Sequence, residues 1–213
     1  MTYHVAGIDL SMTNAAVAVL RGDRDQPTIV NVLSAPVKTA RNAEGDLYAG
    51  LLDRRNRIQA ITARVVRAAL DGLDPAVDDA PLFVIEAPLY HAHGKSGTAG
   101  QHDRAWLWGL VVHMLYKHGL VVEVSTTTMK RYATGSGGTP KGSTSKAPVT
   151  AAMPRMFPGV WVTDDNAADA LALAAMGARA IGHPREPSPQ RVHPGALEAV
   201  RWPTDTQRRA AQP

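Results

Sequence analysis

Apolar residues in this chain fall into short runs of strand length and into longer stretches with helical spacing. The short runs are rich in Val and Ile, which favours strands. They predict five strands, over Tyr3–Asp9, Thr13–Leu20, Pro27–Val37, Pro81–Glu86 and Leu120–Ser125. Short turns at Ser11–Met12 and Gly22–Asp23 separate the first three, so we expect these strands to pair as antiparallel hairpins.

In the longer stretches, apolar residues recur every three or four positions, as they do on the buried side of an amphipathic helix. They predict helices from about Asp46 to Leu70, from about Ala99 to His118, over the short segment Thr126–Tyr132, and from about Asn166 to Ile181. Arginines occupy much of the remaining surface of the first helix, and we interpret them as a solvated basic face. The glycine-rich residues 135–142 predict a loop.

The predicted order is therefore three strands, helix, strand, helix, strand and helix. Antiparallel strands followed by alternating β and α units predict an α/β domain, built on a mixed five-stranded sheet with helices on both faces. We expect this domain to span residues 1–182. Prolines at 184, 187, 189, 194 and 203 predict an irregular, flexible C-terminal tail over residues 183–213.

Composition narrows the class of protein. With 213 residues, 45% of them hydrophobic, the chain is long enough for one domain with an apolar core. It contains no Cys, which excludes disulfides, thiolate zinc sites and cysteine nucleophiles. No apolar run has membrane-spanning length and no signal peptide begins the chain, so we expect a cytoplasmic protein without a membrane partner. The net charge of +4 and the pI of about 9.6 are compatible with binding to nucleic acid.

Carboxylates stand at the ends of three apolar segments. Asp9 ends the first predicted strand, Glu86 ends the fourth, and Asp165 and Asp169 lie at the start of the last helix. An acid at the end of a buried strand is costly unless it is paired, hydrogen-bonded or bound to a cation. Taken singly, each acid would be an ordinary cap or surface charge. Their order along the chain suggests one shared cation site, and hard oxygen ligands suit Mg²⁺ or Mn²⁺.

Four short motifs contain these acids and a basic segment. They are Gly7-Ile8-Asp9-Leu10-Ser11, Val84-Ile85-Glu86, Met129-Lys130-Arg131-Tyr132-Ala133-Thr134-Gly135 with Lys146, and Asp165-Asn166-Ala167-Ala168-Asp169-Ala170-Leu171-Ala172. In this order and spacing the motifs resemble those of the ribonuclease H-like fold, and more narrowly those of the RuvC-type Holliday junction resolvases and their bacteriophage relatives. The resemblance covers roughly residues 3 to 182.

The resemblance implies a nuclease that cuts phosphodiester bonds in branched DNA, using two divalent cations, Mg²⁺ or Mn²⁺, about 3.5–4 Å apart. It implies that Asp9 bridges the two cations and that Glu86 binds one of them. Asp169 together with Asp165 would bind the other. The resemblance also implies a lysine at the scissile phosphate, for which Lys146 is the first candidate. Lys130 is the competing candidate for that role.

One departure from the family pattern concerns the last helix. The family commonly has an acid three residues before the final catalytic Asp, where this chain has Asn166. Asp165, four residues before Asp169, would lie on the same helix face and could take that role. Asp164 stays as an alternative ligand. Either acid could instead cap the helix, which typically contributes about 0.5–2 kcal/mol of stability.

Basic and aromatic residues between the acidic motifs are candidates for binding DNA. The candidate phosphate contacts are Lys130, Arg131, Lys141 and Lys146. The alternative role of these cations is that of solvated surface charges. Tyr90, which follows the fourth strand, could stack on a base at an opened junction or pack against the following helix. His91 and His93 have no obvious third ligand and therefore do not predict a zinc site.

A homodimer is a further implication, because RuvC-type resolvases are homodimers and a two-fold enzyme matches the symmetric strands of a four-way junction. Trp106 and Trp108 are two residues apart in a predicted helix and therefore lie on different faces. We expect one of them in the core. The other, with Leu110 and Met114, would form an apolar patch for self-association.

Three other interpretations stay open. A broader ribonuclease H-like nuclease would act on flaps, forks or RNA-containing duplexes. The segment from Gly7 to Val19 also looks like the first phosphate-binding hairpin of the actin, sugar-kinase and heat-shock chaperone superfamily, although the chain is too short for the second domain of those ATP-binding proteins. The last is a catalytically inactive DNA-binding relative. The presence of acids at three separate places argues against this interpretation.

Overall fold

The computed structural model describes residues 3–35, 40–41, 47–48, 50–74, 80–88, 98–135, 147–183 and 195–210. Its strands are β1 (His4–Asp9), β2 (Asn14–Arg21), β3 (Thr28–Leu33), β4 (Ala40–Arg41), β5 (Leu47–Tyr48), β6 (Leu82–Glu86) and β7 (Leu120–Val124). Its helices are α1 (Leu51–Ala69), α2 (Thr98–Leu115), α3 (Thr126–Thr134), α4 (Ala147–Met156), α5 (Asp165–Ala180), α6 (Gly195–Glu198) and α7 (Asp205–Ala210).

Five strands form one mixed sheet in the order β3-β2-β1-β6-β7. The first three strands of the chain pair as antiparallel hairpins, while β6 runs parallel to β1 and β7 parallel to β6. The central strands β1, β2 and β6 are almost entirely buried, as expected for strands covered on both faces. The predicted five-stranded mixed sheet is thereby confirmed.

Two apolar layers cover the two faces of the sheet. Helices α1 and α2 pack against one set of alternating strand residues, which includes Ile8, Val17 and Ile85. Helix α5 packs against the other set, which includes Val5 and Val84, and α3, α4 and α6 complete the same apolar layer beside α5. The prediction of helices on both faces is confirmed. In the described part of the chain, no helix combines the length and the apolar character needed to cross a bilayer.

An ion pair joins the two helices of the first layer. The guanidinium of Arg54 on α1 lies 2.5 Å from the carboxylate of Asp103 on α2. The hydrogen bond to Asp103 raises the pKa of Arg54 above its ordinary value. This arginine, which the sequence placed on a solvated basic face, is therefore used in part to hold α1 against α2.

Helix α5 crosses β1 in direct backbone contact. A Cβ atom at Gly7 would lie 2.1 Å from the carbonyl oxygen of Ala170 and 2.3 Å from the nitrogen of Ala174. Further along α5, a Cβ at Gly177 would lie 2.8 Å from the side chain of Val5. The helix thus runs antiparallel to β1, which brings its first turns to the carboxyl end of that strand.

Some boundaries differ from the sequence prediction. The third strand ends at Leu33, and residues 36–37 of its predicted range lie outside the described residues. Residues 47–48, predicted as the first turn of a helix, form β5, and α1 begins only after Gly50, a residue with low helix propensity. Helix α4 was not predicted because it is short and contains Pro154, which argues against a helix.

The segment after His183 also differs from the expectation of an irregular tail. It contains α6 and α7, and Ala196 of α6 is fully buried in the layer formed by α3 to α5. The indole of Trp202 packs against the same layer and donates a hydrogen bond to the carbonyl of Leu197 over 3.0 Å. The prolines that suggested irregularity stand outside both helices, so composition gave no sign of these two short elements.

Candidate functional site

The end of β1 and the end of β6 place two carboxylates side by side. The parallel register aligns Ile8 with Ile85, so Asp9 and Glu86 are the next residues on neighbouring strands. Because side chains alternate along a strand, both acids point to the face that α5 covers. Asp9 is only 6% exposed, so its charge is costly without a partner or a cation, whereas Glu86 is half-buried.

Helices α2 and α3 hold Glu86 in place. The hydroxyl of Thr126, the first residue of α3, donates a hydrogen bond to Oε1 of the Glu86 carboxylate. The indole of Trp108 on α2 donates to the backbone carbonyl of Glu86 over 3.1 Å. Ser125 caps α3 by accepting a hydrogen bond from the backbone of Thr128, and so fixes the turn that presents Thr126.

The acids of α5 lie in its first two turns. Asp165 and Asp169 are both half-buried and are four residues apart, so they lie one turn apart on one side of the helix. Because α5 runs antiparallel to β1, these turns lie at the strand end that carries Asp9. The four predicted site acids are therefore directed to one edge of the structure by β1, β6 and α5.

Asp164 has a different environment from Asp165. It is the N-cap of α5, and its Oδ1 accepts a hydrogen bond from the backbone of Ala167 at 2.8 Å. Its Oδ2 accepts hydrogen bonds from the side-chain amides of Asn14 at 2.9 Å and Asn31 at 2.7 Å. Oδ1 thus caps α5 and Oδ2 joins α5 to β2 and β3, which favours a structural role for Asp164.

Asn166 occupies the position where the sequence departs from the resolvase pattern. Its side-chain amide donates a hydrogen bond to the backbone carbonyl of Asn14 over 2.8 Å. A carboxylate at this position could not donate that bond. The amide therefore suits a contact between α5 and β2, and it leaves the acidic role in this turn to Asp165.

The donor set fits a hard divalent cation, since all four candidate ligands are carboxylates. Within the described residues, however, no three Asp, Glu or His side chains are grouped so that they could hold a metal ion as placed. The backbone directs the acids to one edge of the sheet, and a shared metal site would require their side chains to rotate toward one another. Like charges repel without a cation between them, which opposes a closer arrangement.

The basic segment is described in part. Lys130 and Arg131 are half-buried residues of α3. Lys130 follows Thr126 by four residues and therefore lies on the side of α3 that contacts Glu86. Tyr90, Lys141 and Lys146 lie outside the described residues.

The two tryptophans of α2 are in different environments. Trp108 packs against the layer that contains α1, as do Leu110 and Met114, while Trp106 is 36% exposed. Of the two tryptophans, Trp106 is therefore the one available on the surface of α2.

Several residues around the site were not singled out from the sequence. Thr126 carried no signal, because a threonine at the start of a helix is ordinary. Asn14 and Asn31 did carry a signal, since Asn14 begins an apolar strand and Asn31 interrupts one, each with an amide on the face that α5 covers.

No family model and no curated protein matches this sequence. Among solved structures, the chain is similar to Thermus thermophilus RuvC in complex with a Holliday junction substrate, with 18% identity, a TM-score of 0.53, and coverage of 81% of this chain and 90% of that chain. A second Thermus thermophilus RuvC structure matches with 17% identity, a TM-score of 0.53, and coverage of 86% and 98%. The chain thus has the ribonuclease H-like fold of RuvC, as the sequence predicted.

Proposed function

We propose that this chain is a metal-dependent endonuclease that cleaves phosphodiester bonds in branched DNA. The observation that carries the proposal is the placement of Asp9 and Glu86 at adjacent strand ends, on the face crossed by the acidic start of α5. The RuvC fold supports a nuclease. The structure of Thermus thermophilus RuvC with a Holliday junction substrate supports a four-way junction as the preferred DNA.

In this proposal Asp9, Glu86, Asp165 and Asp169 hold two Mg²⁺ or Mn²⁺ ions. When bound, the cations supply activation of water and stabilisation of the leaving 3′ oxygen. Asp9 lies at the buried end of β1, beside Glu86 on the neighbouring strand, and would bridge the two cations. Thr126 fixes one oxygen of Glu86, which orients the carboxylate for a metal ligand as outer hydrogen-bond partners commonly do.

In the same proposal, basic side chains of the protein contact the phosphates of the DNA. Lys130 has support from its position one turn after Thr126, on the side of α3 that contacts Glu86. Lys146, the first candidate from the sequence for the scissile phosphate, lies outside the described residues, so its role stays a prediction. Arg131 and Lys141 would contact phosphates further along the DNA, and Tyr90 would stack on a base at the junction centre.

A homodimer belongs to the same proposal. Two symmetric cuts release a four-way junction as two duplexes, and a pair of sites related by a two-fold axis makes the second cut effectively intramolecular. The ATP-binding alternative loses support. Its members bind ATP between two domains of related fold, and the described residues contain one five-stranded sheet beside the two-stranded β4-β5 pair.

The test is a cleavage assay with synthetic four-way, flap, RNA–DNA hybrid and linear duplex substrates of shared sequence, with Mg²⁺, with Mn²⁺ and with EDTA. We expect paired, symmetric nicks in the four-way junction and no cutting in EDTA. Glu86→Gln should abolish cutting, whereas the same change at Glu123, an exposed residue of β7 on the opposite face, should not. Equal cutting of all substrates would indicate a broader nuclease and not a junction resolvase. Junction binding without cutting would indicate an inactive relative.

A further inference from the structure

An uncharged cleft lies between β3 and the loop 157–164 that leads into α5. Its volume is about 430 Å³, within the range of about 300–1,000 Å³ typical of sites for small organic groups. Ile29, Val160 and Trp161 supply apolar walls, and Gln26, Asn31 and Thr163 supply hydroxyl and amide groups. The lining contains no charged residue, so the cleft is suited to a neutral, flat group with polar edges rather than to a phosphate.

Trp161 is the most exposed large hydrophobic residue of the described chain, at 84%. A single exposed apolar side chain is common on protein surfaces and by itself indicates nothing. Trp161 differs because its neighbours in the loop are fixed: Val160 and Val162 pack against the apolar layer of α5, and Thr163 accepts a hydrogen bond from Asn31 over 3.1 Å. An anchored loop therefore presents a solvent-facing indole beside a cleft.

Asn31 adds a polar group to the cleft that the fold does not fully use. Its amide nitrogen donates to Thr163 and to Asp164, whereas its buried Oδ1 has no hydrogen-bond partner. A buried acceptor left without a partner costs free energy. Because this oxygen has almost no exposed surface, it could accept from a ligand N–H group only after the Asn31 amide turns toward the cleft. Amide side chains that present an acceptor next to an apolar wall are typical of sites that bind heterocyclic bases.

The cleft and the candidate acids lie on one row of the sheet. Asp9 pairs with Ala16 on β2, and Ala16 pairs with Asn31 on β3. Directly paired residues of antiparallel strands point to the same face, so Asn31 and Asp9 both face the side of α5. Two strand spacings separate their backbones by about 10 Å. A strand of DNA held at the acids could therefore place a nearby base in the cleft.

We propose that this cleft binds a nucleobase that has left the duplex stack, with Trp161 as the stacking surface and the Asn31 amide at the edge of the base. The inference rests on the proposed function for its choice of ligand. Its consequence is a preference for DNA with unpaired bases, which arises from a surface separate from the catalytic acids.

The test measures binding without cleavage. Fluorescence anisotropy in EDTA compares a labelled oligothymidylate, a four-way junction and a blunt duplex as ligands of the full-length protein. We expect Trp161→Ala to weaken binding of the oligothymidylate by about 5- to 150-fold, the effect of losing one base–aromatic stack, and to leave duplex binding nearly unchanged. Trp161→Phe should retain most of the affinity. Tyr116→Ala, which removes an exposed aromatic residue just after the end of α2, is the matched control.

Three outcomes would overturn the inference. Unchanged oligothymidylate binding by Trp161→Ala would show that the indole does not stack on bases. An equal loss for duplex would show a contact indifferent to base pairing. A change of oligomeric state on Trp161→Ala would show that the cleft is covered by a second copy of the chain. The nuclease proposal can fail separately. If the protein cuts no DNA but binds oligothymidylate through Trp161, only the cleft proposal is supported. If it cuts DNA and its binding does not depend on Trp161, only the nuclease proposal is supported.

Discussion

At the scale of single residues, the neighbouring acids Asp164 and Asp165 have different roles: one stabilises the start of α5, and the other is a proposed metal ligand. Asp164 accepts three hydrogen bonds: one from Ala167 caps α5, and two from Asn14 and Asn31 join α5 to β2 and β3, so both of its oxygens are used. Asp165 is the first residue of α5 and lies one turn before Asp169, on the side proposed to bind metal. Substitutions at the two positions should therefore affect different properties.

The first prediction separates these properties. Asp164→Ala should lower the free energy of unfolding by about 1–2 kcal/mol, because it removes an N-cap and leaves two amides without their acceptor. Asp165→Asn should leave stability nearly unchanged and reduce Mg²⁺-dependent cleavage. Urea denaturation and single-turnover cleavage would measure the two effects. If Asp165→Asn keeps full activity while Asp164→Asn folds but is inactive, then Asp164 is the metal ligand and Asp165 is not.

The second prediction concerns Thr126, which we place as a positioning residue for Glu86. Thr126→Val keeps the shape of the side chain and removes its hydroxyl. We expect a loss of about 10- to 100-fold in metal affinity or activity, as is typical when the outer partner of a metal ligand is removed. Cleavage measured against Mg²⁺ concentration should show a higher requirement for metal, and Thr126→Ser should restore it. An unchanged Mg²⁺ requirement in Thr126→Val would contradict this role.

At the scale of whole elements, the sequence was informative where apolar patterns were regular. Strands β1, β2 and β6 are continuous apolar runs, and α5 follows a regular helical pattern, so their order and the positions of their acids could be read directly. Helix α4 could not be predicted from the sequence, because Pro154 interrupts its helical pattern. The hydrogen bond between Thr126 and Glu86 could not be predicted either. It depends on α3 beginning beside the end of β6, which only the assembled sheet determines.

The contact between β1 and α5 gives the third prediction. Gly7→Ala would push a Cβ atom into the backbone of Ala170 and Ala174, neither of which can rotate away. We expect a loss of about 1–3 kcal/mol in the free energy of unfolding and a fall in cleavage, because α5 carries two of the proposed metal ligands. Gly109→Ala is the control. It lies exposed in α2 with open space around it and should stabilise the fold by about 1 kcal/mol.

Helix α3 gives the fourth prediction. Each phosphate contact contributes about 0.9 to the slope of the logarithm of the binding constant against the logarithm of salt concentration. Lys130→Ala should therefore reduce the magnitude of that slope by about one for junction DNA. Arg64→Ala, which removes an exposed cation of α1 on the other face of the sheet, should leave the slope unchanged. Equal slopes for wild type and Lys130→Ala would make Lys130 a solvated surface charge.

At the scale of the whole molecule, the two faces of the sheet divide the proposed tasks. The face covered by α5 carries the acids, Lys130 and the cleft at Trp161, while the other face carries α1 and α2. A dimer formed through α2 would therefore leave both copies of the acidic edge open to DNA. The residues after 183 were predicted to form a flexible tail, but α6 and Trp202 pack against the core, so assembly is best tested with the full chain.

The last prediction concerns assembly through α2. The sequence left open which of the two tryptophans lies on the surface. Trp108 packs inward and donates a hydrogen bond to the backbone of Glu86, so its loss would damage the proposed active site itself. Trp106 is 36% exposed and, within the described residues, makes no hydrogen bond to the acids or to the cleft, which makes Trp106→Glu the sharper test.

We expect wild type to sediment as a dimer at micromolar concentration, and Trp106→Glu to shift toward the monomer. Trp161→Glu, on the opposite face, should stay dimeric. Loss of the dimer should uncouple the two cuts of a junction, because the second cut then requires a separate encounter and loses the advantage of proximity. The monomeric variant should accumulate singly nicked junctions at a nearly normal rate of first cutting. Paired cutting by a protein that stays monomeric would contradict this reasoning and place both cuts within one active site.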